Sequence, residues 1–282
     1  MWTTEQLLAE AVGGRVGRRF VGMDEIDGME ADALKRAAEQ ALARPQASEF
    51  DPGARPLSRR LLAAQWTLVL DSVGLPAEPR VLELCAGGSD PVVVALDVLY
   101  GSRATYATIN LNRKLAAELM DRARGLDLQV RLIEDDAQNL LTHFPRGSFD
   151  AVCFHHAVND ILQTAVAAKH GLDTRDLDWW PNERQMIEWM AVEHEAHGLS
   201  EVGLPELRAI LESAATAVKP GGTLCFDHWT WHYHLGLDWF PGALFNQLIP
   251  MAGEVALSLT TPLVEVTPAG LDRQWWMVLR KP

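Results

Sequence analysis

Histidine and tryptophan are concentrated in one part of the 282-residue chain. Eight of the nine histidines lie between positions 155 and 234, and six of the ten tryptophans lie between 179 and 239. Histidine changes its charge near neutral pH, so it suits the removal of a proton from a reacting hydroxyl or amine group. Tryptophan faces bind flat apolar molecules and cations. This part of the chain therefore has the residue types for acid–base chemistry beside an aromatic pocket.

Two histidine positions stand out, because each follows a run of apolar residues that is typical of a buried strand. His155 and His156 follow the run DAVCF, with Asp160 shortly after them, and His228 follows the run TLCFD. Substrates of open α/β sheets bind at the carboxyl ends of the strands. We therefore predict His156, His228 and Asp160 as catalytic residues, with the two histidines as the candidate bases.

The composition limits the kinds of ligand and location. Hydrophobic residues make up 48% of the chain and charged residues 22%, which is ordinary for a globular protein. The formal net charge of −13 lacks the positive field that holds nucleic acid or anionic lipid. We find no apolar run long enough to span a membrane, no secretory signal pattern, and no cysteine spacing typical of disulfides or zinc. We expect a cytoplasmic protein that acts on a small molecule, without nucleic acid or membrane partners.

The order of elements predicts a helical extension over residues 1–76 and an α/β domain over 77–282. In the second part, short apolar runs alternate with helical segments, which indicates a parallel sheet with helical crossovers. Only TPAGLDR separates the last two runs, so we expect them to form an antiparallel pair. An acidic helical insertion is expected at about 161–204. The predicted strands lie in RVLELCAG, ATYATINL, VRLIEDDA, DAVCFHHA, TLCFDHW, TPLVEV and QWWMVLR.

The segment VLELCAGGSDP at 81–91 predicts a ligand-binding turn. Small residues let a ligand approach the backbone where a strand leads into a helix, and Asp90 with Pro91 is typical of a helix start. This position is the cofactor corner of a doubly wound fold. The dinucleotide fingerprint G-x-G-x-x-G and the P-loop motif are both absent. Asp90 would also face a pyrophosphate unfavourably.

The turn resembles motif I of the class I S-adenosylmethionine (SAM)-dependent methyltransferases, an acidic residue followed by x-G-x-G-x-G. Here the pattern is Glu83-x-Cys85-x-Gly87-x-Ser89, so small residues replace two of the three glycines. The later segments resemble the second to fifth strands of this family in the same order, and the last two runs resemble its reversed final hairpin. The resemblance covers about residues 79–282. It implies a Rossmann-like fold with a seven-stranded, mostly parallel sheet whose last strand is antiparallel.

The resemblance also implies a set of residues that bind SAM. Asn110 occupies the position that is usually an acid on the ribose hydroxyls, and an amide can still form hydrogen bonds there. Asp136-Ala137 is implied to contact the adenine amino group, with Asp135 as a one-residue alternative. The full predicted set is Glu83, Cys85, Ala86, Gly87, Ser89, Asn110, Leu111, Asp136, Ala137 and His155.

A metal site is the main alternative at the strand ends. Some small-molecule O-methyltransferases hold Mg²⁺ with carboxyl and amide groups after strands four and five, where Asp160 and Asp227 lie in this chain. The neighbouring histidines are more typical of zinc or iron sites, and the spacing differs from that of the metal-dependent enzymes. The segment EHEAH at 193–197 has its histidines three residues apart, whereas the zinc-protease motif needs four. We expect no metal requirement.

The resemblance implies SAM-dependent methyl transfer with S-adenosylhomocysteine as the product. We predict a biosynthetic transferase with an aromatic or apolar small-molecule acceptor, methylated on oxygen or nitrogen because histidine bases are plentiful. The extension and the insertion would cover the substrate, or the extension would form a homodimer contact. Two alternatives stay open: non-methylating SAM chemistry, and a non-catalytic partner subunit. The predicted substrate pocket consists of Trp180, Trp189, Trp229, Trp231 and His232.

Overall fold

The computed structural model describes residues 3–20, 25–30, 32–36, 55–228 and 237–282. Three predicted pocket residues, Trp229, Trp231 and His232, lie outside these ranges. The helices are α1 (Thr4–Val12), α2 (Arg15–Arg19), α3 (Arg55–Val73), α4 (Pro91–Tyr100), α5 (Arg113–Arg122), α6 (Leu140–His143), α7 (Ala157–Lys169), α8 (Trp179–His197), α9 (Leu204–Ala217), α10 (Gly242–Phe245) and α11 (Leu248–Leu257). The strands are β1 (Arg80–Leu84), β2 (Thr105–Asn110), β3 (Gln129–Glu134), β4 (Phe149–His155), β5 (Val218–Asp227), β6 (Val264–Glu265) and β7 (Trp276–Arg280).

These strands form one seven-stranded sheet in the order β3-β2-β1-β4-β5-β7-β6. Strands β1 to β5 pair in parallel, whereas β7 runs antiparallel to both β5 and β6. The predicted fold class, including the reversed last strand, is confirmed. The strand order also brings the carboxyl ends of β1 and β4 together at the middle of the sheet, where the predicted site residues lie.

Apolar side chains cover both faces of the sheet, as a parallel sheet requires. Leu82, Val152 and Leu224 belong to a buried cluster on one face, shared with α7, α9 and α11. Val81 and Ala151 belong to the cluster on the other face, which α3 and α4 cover. Each strand therefore contributes alternate side chains to two cores, which explains why the sequence runs are almost continuously apolar.

The helical extension packs onto the α/β domain. Trp66 on α3 is fully buried, and its ring lies 5.0 Å from that of Trp276 on β7. Arg59 on α3 forms an ion pair with the buried carboxylate of Asp90, which includes a 3.0 Å hydrogen bond from Nε to Oδ1. Asp90 occupies the N-cap position of α4, as the sequence predicts, but its side chain binds Arg59 instead of capping the helix.

The insertion between β4 and β5 contains three helices. Helices α8 and α9 follow one another in this insertion, and α8 ends at Gly198 in the left-handed conformation that favours glycine. Helix α7 precedes them and begins directly after the histidines of β4. Within the described ranges, no helix has the length and apolar character needed to cross a membrane.

Candidate cofactor and active site

A cavity of about 230 Å³ lies beside the carboxyl ends of the central strands. Its wall is formed by the turn after β1, the end of β2, the turn after β3, and helix α7. Asp160, one of the predicted catalytic residues, also lines it. The structure thus brings together six of the ten residues that the resemblance implies for SAM binding: Cys85, Gly87, Asn110, Leu111, Asp136 and Ala137.

The turn after β1 has two residues in the left-handed backbone region that favours glycine, and one of them is a cysteine. Cys85 has φ +57° and Gly87 has φ +56°, both in the left-handed region. A Cβ atom at Gly87 would lie 3.7 Å from Leu115 Cδ1, so the glycine leaves the backbone open beside the cavity. Burial raises the pKa of the Cys85 thiol, which therefore stays uncharged. Ala86 and Ser89 are in the same turn but do not line the cavity.

The amide of Asn110 binds the backbone of this turn. Its Nδ2 donates to the Gly87 carbonyl oxygen at 3.1 Å, and its Oδ1 accepts from the Gly87 N–H at 3.3 Å. Only 2% of Asn110 is exposed. The side chain thus lies at the cavity wall with both of its polar ends engaged by the protein.

Glu83 lies beneath the turn and does not line the cavity. It is fully buried, and the Tyr106 hydroxyl donates to its Oε2 at 2.6 Å. Burial raises the pKa of Glu83 to about 8, against the opposing effects of His155 and the Tyr106 hydrogen bond. At neutral pH the carboxyl group is therefore mostly protonated.

The structure separates the two candidate adenine contacts, Asp136 and Asp135. Asp136 lines the cavity together with Ala137. Asp135 instead binds His143, with 2.6 Å between the His143 Nε2 and the carboxylate. Hydrogen bonds from His143 and Asn139 lower the pKa of Asp135 to about 2. Asp135 is thus bound by other protein groups and does not line the cavity.

The insertion forms part of the cavity wall. Asn112, at the N-cap of α5, donates from Nδ2 to the carbonyl oxygens of Thr174 and Leu177 at 2.7 and 2.9 Å. Thr174 and Trp179 line the cavity as a result. The sequence does not single out these residues, because it does not show which strand end the insertion packs against.

The cavity is acidic. Asp136, Asp160 and Glu206 line it, and none of its described lining residues is a lysine, arginine or histidine. Burial and the nearby Glu183 raise the pKa of Asp160, and burial raises the pKa of Glu183 to about 7. These shifts favour the protonated, uncharged carboxyl groups, and a cation bound beside them would oppose the shifts by favouring the ionised carboxylates.

His155 forms a buried pair with Asp227 and does not line the cavity. Its Nδ1 lies 2.9 and 3.0 Å from the two carboxylate oxygens, and the Trp66 indole Nε1 lies 3.0 Å from the same nitrogen. Burial lowers the pKa of His155, but the Asp227 carboxylate outweighs this and the net pKa is raised. The contact with Asp227 makes His155 a link between β4 and β5, and the contact with Trp66 ties both strands to α3.

His156 and His228 come together at the ends of β4 and β5. Their rings stack 4.5 Å apart with an interplanar angle of 9°. The His156 backbone N–H donates to Asp227 at 3.1 Å, and its φ of +53° places it in the left-handed region. His228 is fully buried, and neither of its ring nitrogens has a hydrogen-bond partner within the described ranges. Burial lowers the pKa of His228 to about 3, so this ring is neutral.

Two predicted pocket tryptophans lie away from the cavity. Trp180 is 60% exposed, and Trp189 stacks on His170 with 4.3 Å between ring centres. Successive helical residues point about 100° apart, so Trp179 facing inward turns Trp180 outward. A different aromatic series follows the histidine pair: the ring of His228 lies 5.5 Å from that of Phe245, which lies 4.5 Å from Phe240.

No cluster of three or more potential metal ligands occurs among the described residues. Asp227 binds His155, and Asp160 accepts a 2.7 Å hydrogen bond from Asn159. Asp160 and Asp227, the two carboxyl groups considered for Mg²⁺, thus each bind a different neighbouring side chain.

No protein-family profile matches the chain, and no curated protein matches it. Solved structures are similar to it at low sequence identity. A structure described as PH0851 is 16% identical with a TM-score of 0.52, over 78% of this chain and 46% of its own, so the chain spans less than half of that protein.

Two further structures carry descriptions of activity. A SAM-dependent methyltransferase from Aquifex aeolicus is 15% identical with a TM-score of 0.46, over 82% of this chain and 97% of its own. An arsenic(III) S-adenosylmethionine methyltransferase from Chlamydomonas reinhardtii is 17% identical with a TM-score of 0.38, over 74% and 66%. With β7 antiparallel at one side of an otherwise parallel sheet, the chain has the Rossmann-like fold that its sequence resemblance to the class I SAM-dependent methyltransferases implies.

Proposed function

We propose that the protein is a SAM-dependent methyltransferase with a small-molecule acceptor. The acidic cavity at the strand ends carries this proposal, because its described lining has three carboxyl side chains and no basic one. SAM has a sulfonium, an ammonium and one carboxylate group, and is therefore a net cation. A dinucleotide would bring a pyrophosphate into the same acidic site, which is unfavourable. The charge of the cavity thus favours SAM over the other common ligands of doubly wound folds.

The residues of the cavity fit SAM in type as well as charge. Gly87 leaves the backbone of the turn open, and Asp136 can accept hydrogen bonds from the adenine amino group. Asp160 is suited to a cationic group, and the indole of Trp179 adds an aromatic face. When bound, SAM supplies an electrophilic methyl group on its sulfonium.

We propose His156 as the base that receives the proton of an acceptor hydroxyl or amine. It is half-buried at the end of β4, and the backbone contact with Asp227 fixes its position. His228 is a weaker candidate, since a pKa of about 3 leaves little driving force for accepting a proton. Its neutral ring instead stacks on His156 and holds it in place.

The acceptor proposed here is flat and aromatic or apolar. Phe245, Phe240 and Trp239 continue from the histidine pair as a series of neighbouring rings. Such rings bind flat molecules through offset and edge contacts. The net charge of −13 favours a metabolite over nucleic acid as the acceptor.

The proposal is tested by incubating the protein with SAM carrying a deuterated methyl group and a panel of hydroxyarenes and aminoarenes. We expect release of S-adenosylhomocysteine and a labelled product for at least one acceptor. His156→Gln should lower turnover on the order of 100-fold, because general-base catalysis contributes about that much. His170→Gln is the matched control, since His170 stacks on Trp189 away from the cavity. Equal turnover in wild type and His156→Gln would contradict the assignment of the base.

A further inference from the structure

The turn after β1 is held by a side chain from the neighbouring strand. The Asn110 amide both donates to and accepts from the backbone of Gly87, at 3.1 and 3.3 Å. A single side chain thus fixes the peptide groups on both sides of Gly87. The bonded pair lies directly at the cavity wall, where both residues are lining residues.

This turn needs external support more than a glycine-rich turn does. Cys85 is held in the left-handed region at φ +57°, which is unfavourable for a residue with a side chain. Strained backbone of this kind persists only where the surroundings hold it. The Gly87 backbone, two residues further on, is the part of the turn that Asn110 holds.

We propose that Asn110 is a positioning residue for the cofactor turn, the turn after β1. It stands at the position of the ribose-binding acid in the family that this chain resembles, but it binds the Gly87 backbone instead of the ribose. An aspartate could not do the same, because a carboxylate has no N–H to donate and would place an oxygen against the Gly87 carbonyl oxygen. This inference rests on the proposed function, since SAM is the ligand for which the turn is positioned.

The decisive variant is Asn110→Asp, with SAM affinity measured by calorimetry at pH 7.5 and pH 5.5. Relative to wild type at the same pH, we expect binding about 10-fold weaker at pH 7.5 and partly restored at pH 5.5, because burial at this position raises the pKa of the introduced carboxyl group and its protonated form can donate to Gly87. Asn110→Ala should be weakened equally at both pH values. If Asn110 instead contacts the ribose, the introduced carboxylate would tighten SAM binding at pH 7.5, and the inference would be wrong.

Gln129→Glu is the charge control. Gln129 is exposed at the start of β3, far along the strand from the cavity, so the same added charge should change SAM affinity less than twofold. A loss comparable with that of Asn110→Asp would assign the effect to net charge and overturn the inference.

A second readout does not need a ligand. The Gly87 amide should be protected from hydrogen exchange in the wild type and exchange at least 10-fold faster in Asn110→Ala. Unchanged protection in the variant would overturn the positioning role. A third result would separate the two proposals. If the wild type does not bind SAM but Asn110→Ala loses the protection of the Gly87 amide, the proposed function is wrong and the support of the turn by Asn110 still holds.

Discussion

Cys85 and Gly87 in the turn after β1 share one backbone conformation although their side chains differ. Both residues adopt left-handed backbone, although only one is a glycine. For Cys85 this conformation costs roughly 1–2 kcal/mol. In return, the turn gains an uncharged thiol that lines the cavity. Left-handed backbone in this turn therefore does not require a glycine at each position.

Glu83 provides a prediction with a defined dependence on pH. Its pKa in the folded protein is about 8, against an ordinary value of 4.5, so the folded state keeps a proton that the unfolded state releases above pH 4.5. The free energy of unfolding therefore falls as pH rises from about 4.5 to 8. Glu83→Gln cannot ionise and avoids this loss. We expect it to be more stable than wild type by about 1–3 kcal/mol at pH 7.5, and by less at pH 5.5, in urea unfolding.

Glu195→Gln serves as the control for this series, because Glu195 is exposed on α8. Its stability difference from wild type should stay nearly constant with pH. A Glu83→Gln difference that is equally constant would mean that Glu83 is ionised in the folded protein, contrary to the environment described above.

At the scale of elements, the pair between Arg59 on α3 and Asp90 at the start of α4 links the extension to the cofactor turn. Asp90 is 1% exposed, so removing its partner leaves a buried carboxylate without its counterion. We expect Arg59→Met to lower the free energy of unfolding by about 2–4 kcal/mol, somewhat less than for a fully buried pair because Arg59 is partly exposed.

The double variant Arg59→Met/Asp90→Asn separates charge from packing. Since it removes the unpaired charge as well, it should recover part of the lost stability in the same denaturant titration. If the stability losses of Arg59→Met alone and Asp90→Asn alone simply add in the double variant, the ion pair does not couple α3 to α4.

Elements with a clear local pattern could be predicted from the sequence, and elements defined by distant contacts could not. The five parallel strands and the closing antiparallel pair follow from apolar runs and their spacing. The wall contributed by Thr174 and Trp179 depends on hydrogen bonds from Asn112, more than 60 residues earlier in the chain. One position along α8 also separates the inward Trp179 from the exposed Trp180, which residue type alone does not reveal.

At the scale of the whole molecule, charge and topology point to the same ligand. The parallel sheet gathers the ends of its central strands at one cavity, and the chain that folds around it is acidic overall. The histidine pair and the aromatic series lie at the ends of β4 and β5, which is where an acceptor would meet the cofactor in an open α/β fold. A homodimer contact through the extension stays a prediction.

Calorimetric titration of the purified protein with SAM and with S-adenosylhomocysteine measures whether the acidic cavity binds SAM. We predict saturable binding of both ligands at micromolar strength, about −8 kcal/mol, unchanged by EDTA. Loss of binding in EDTA would show that a metal is required. Absence of binding for both ligands would contradict the proposed function, and the acidic cavity would then bind a different ligand.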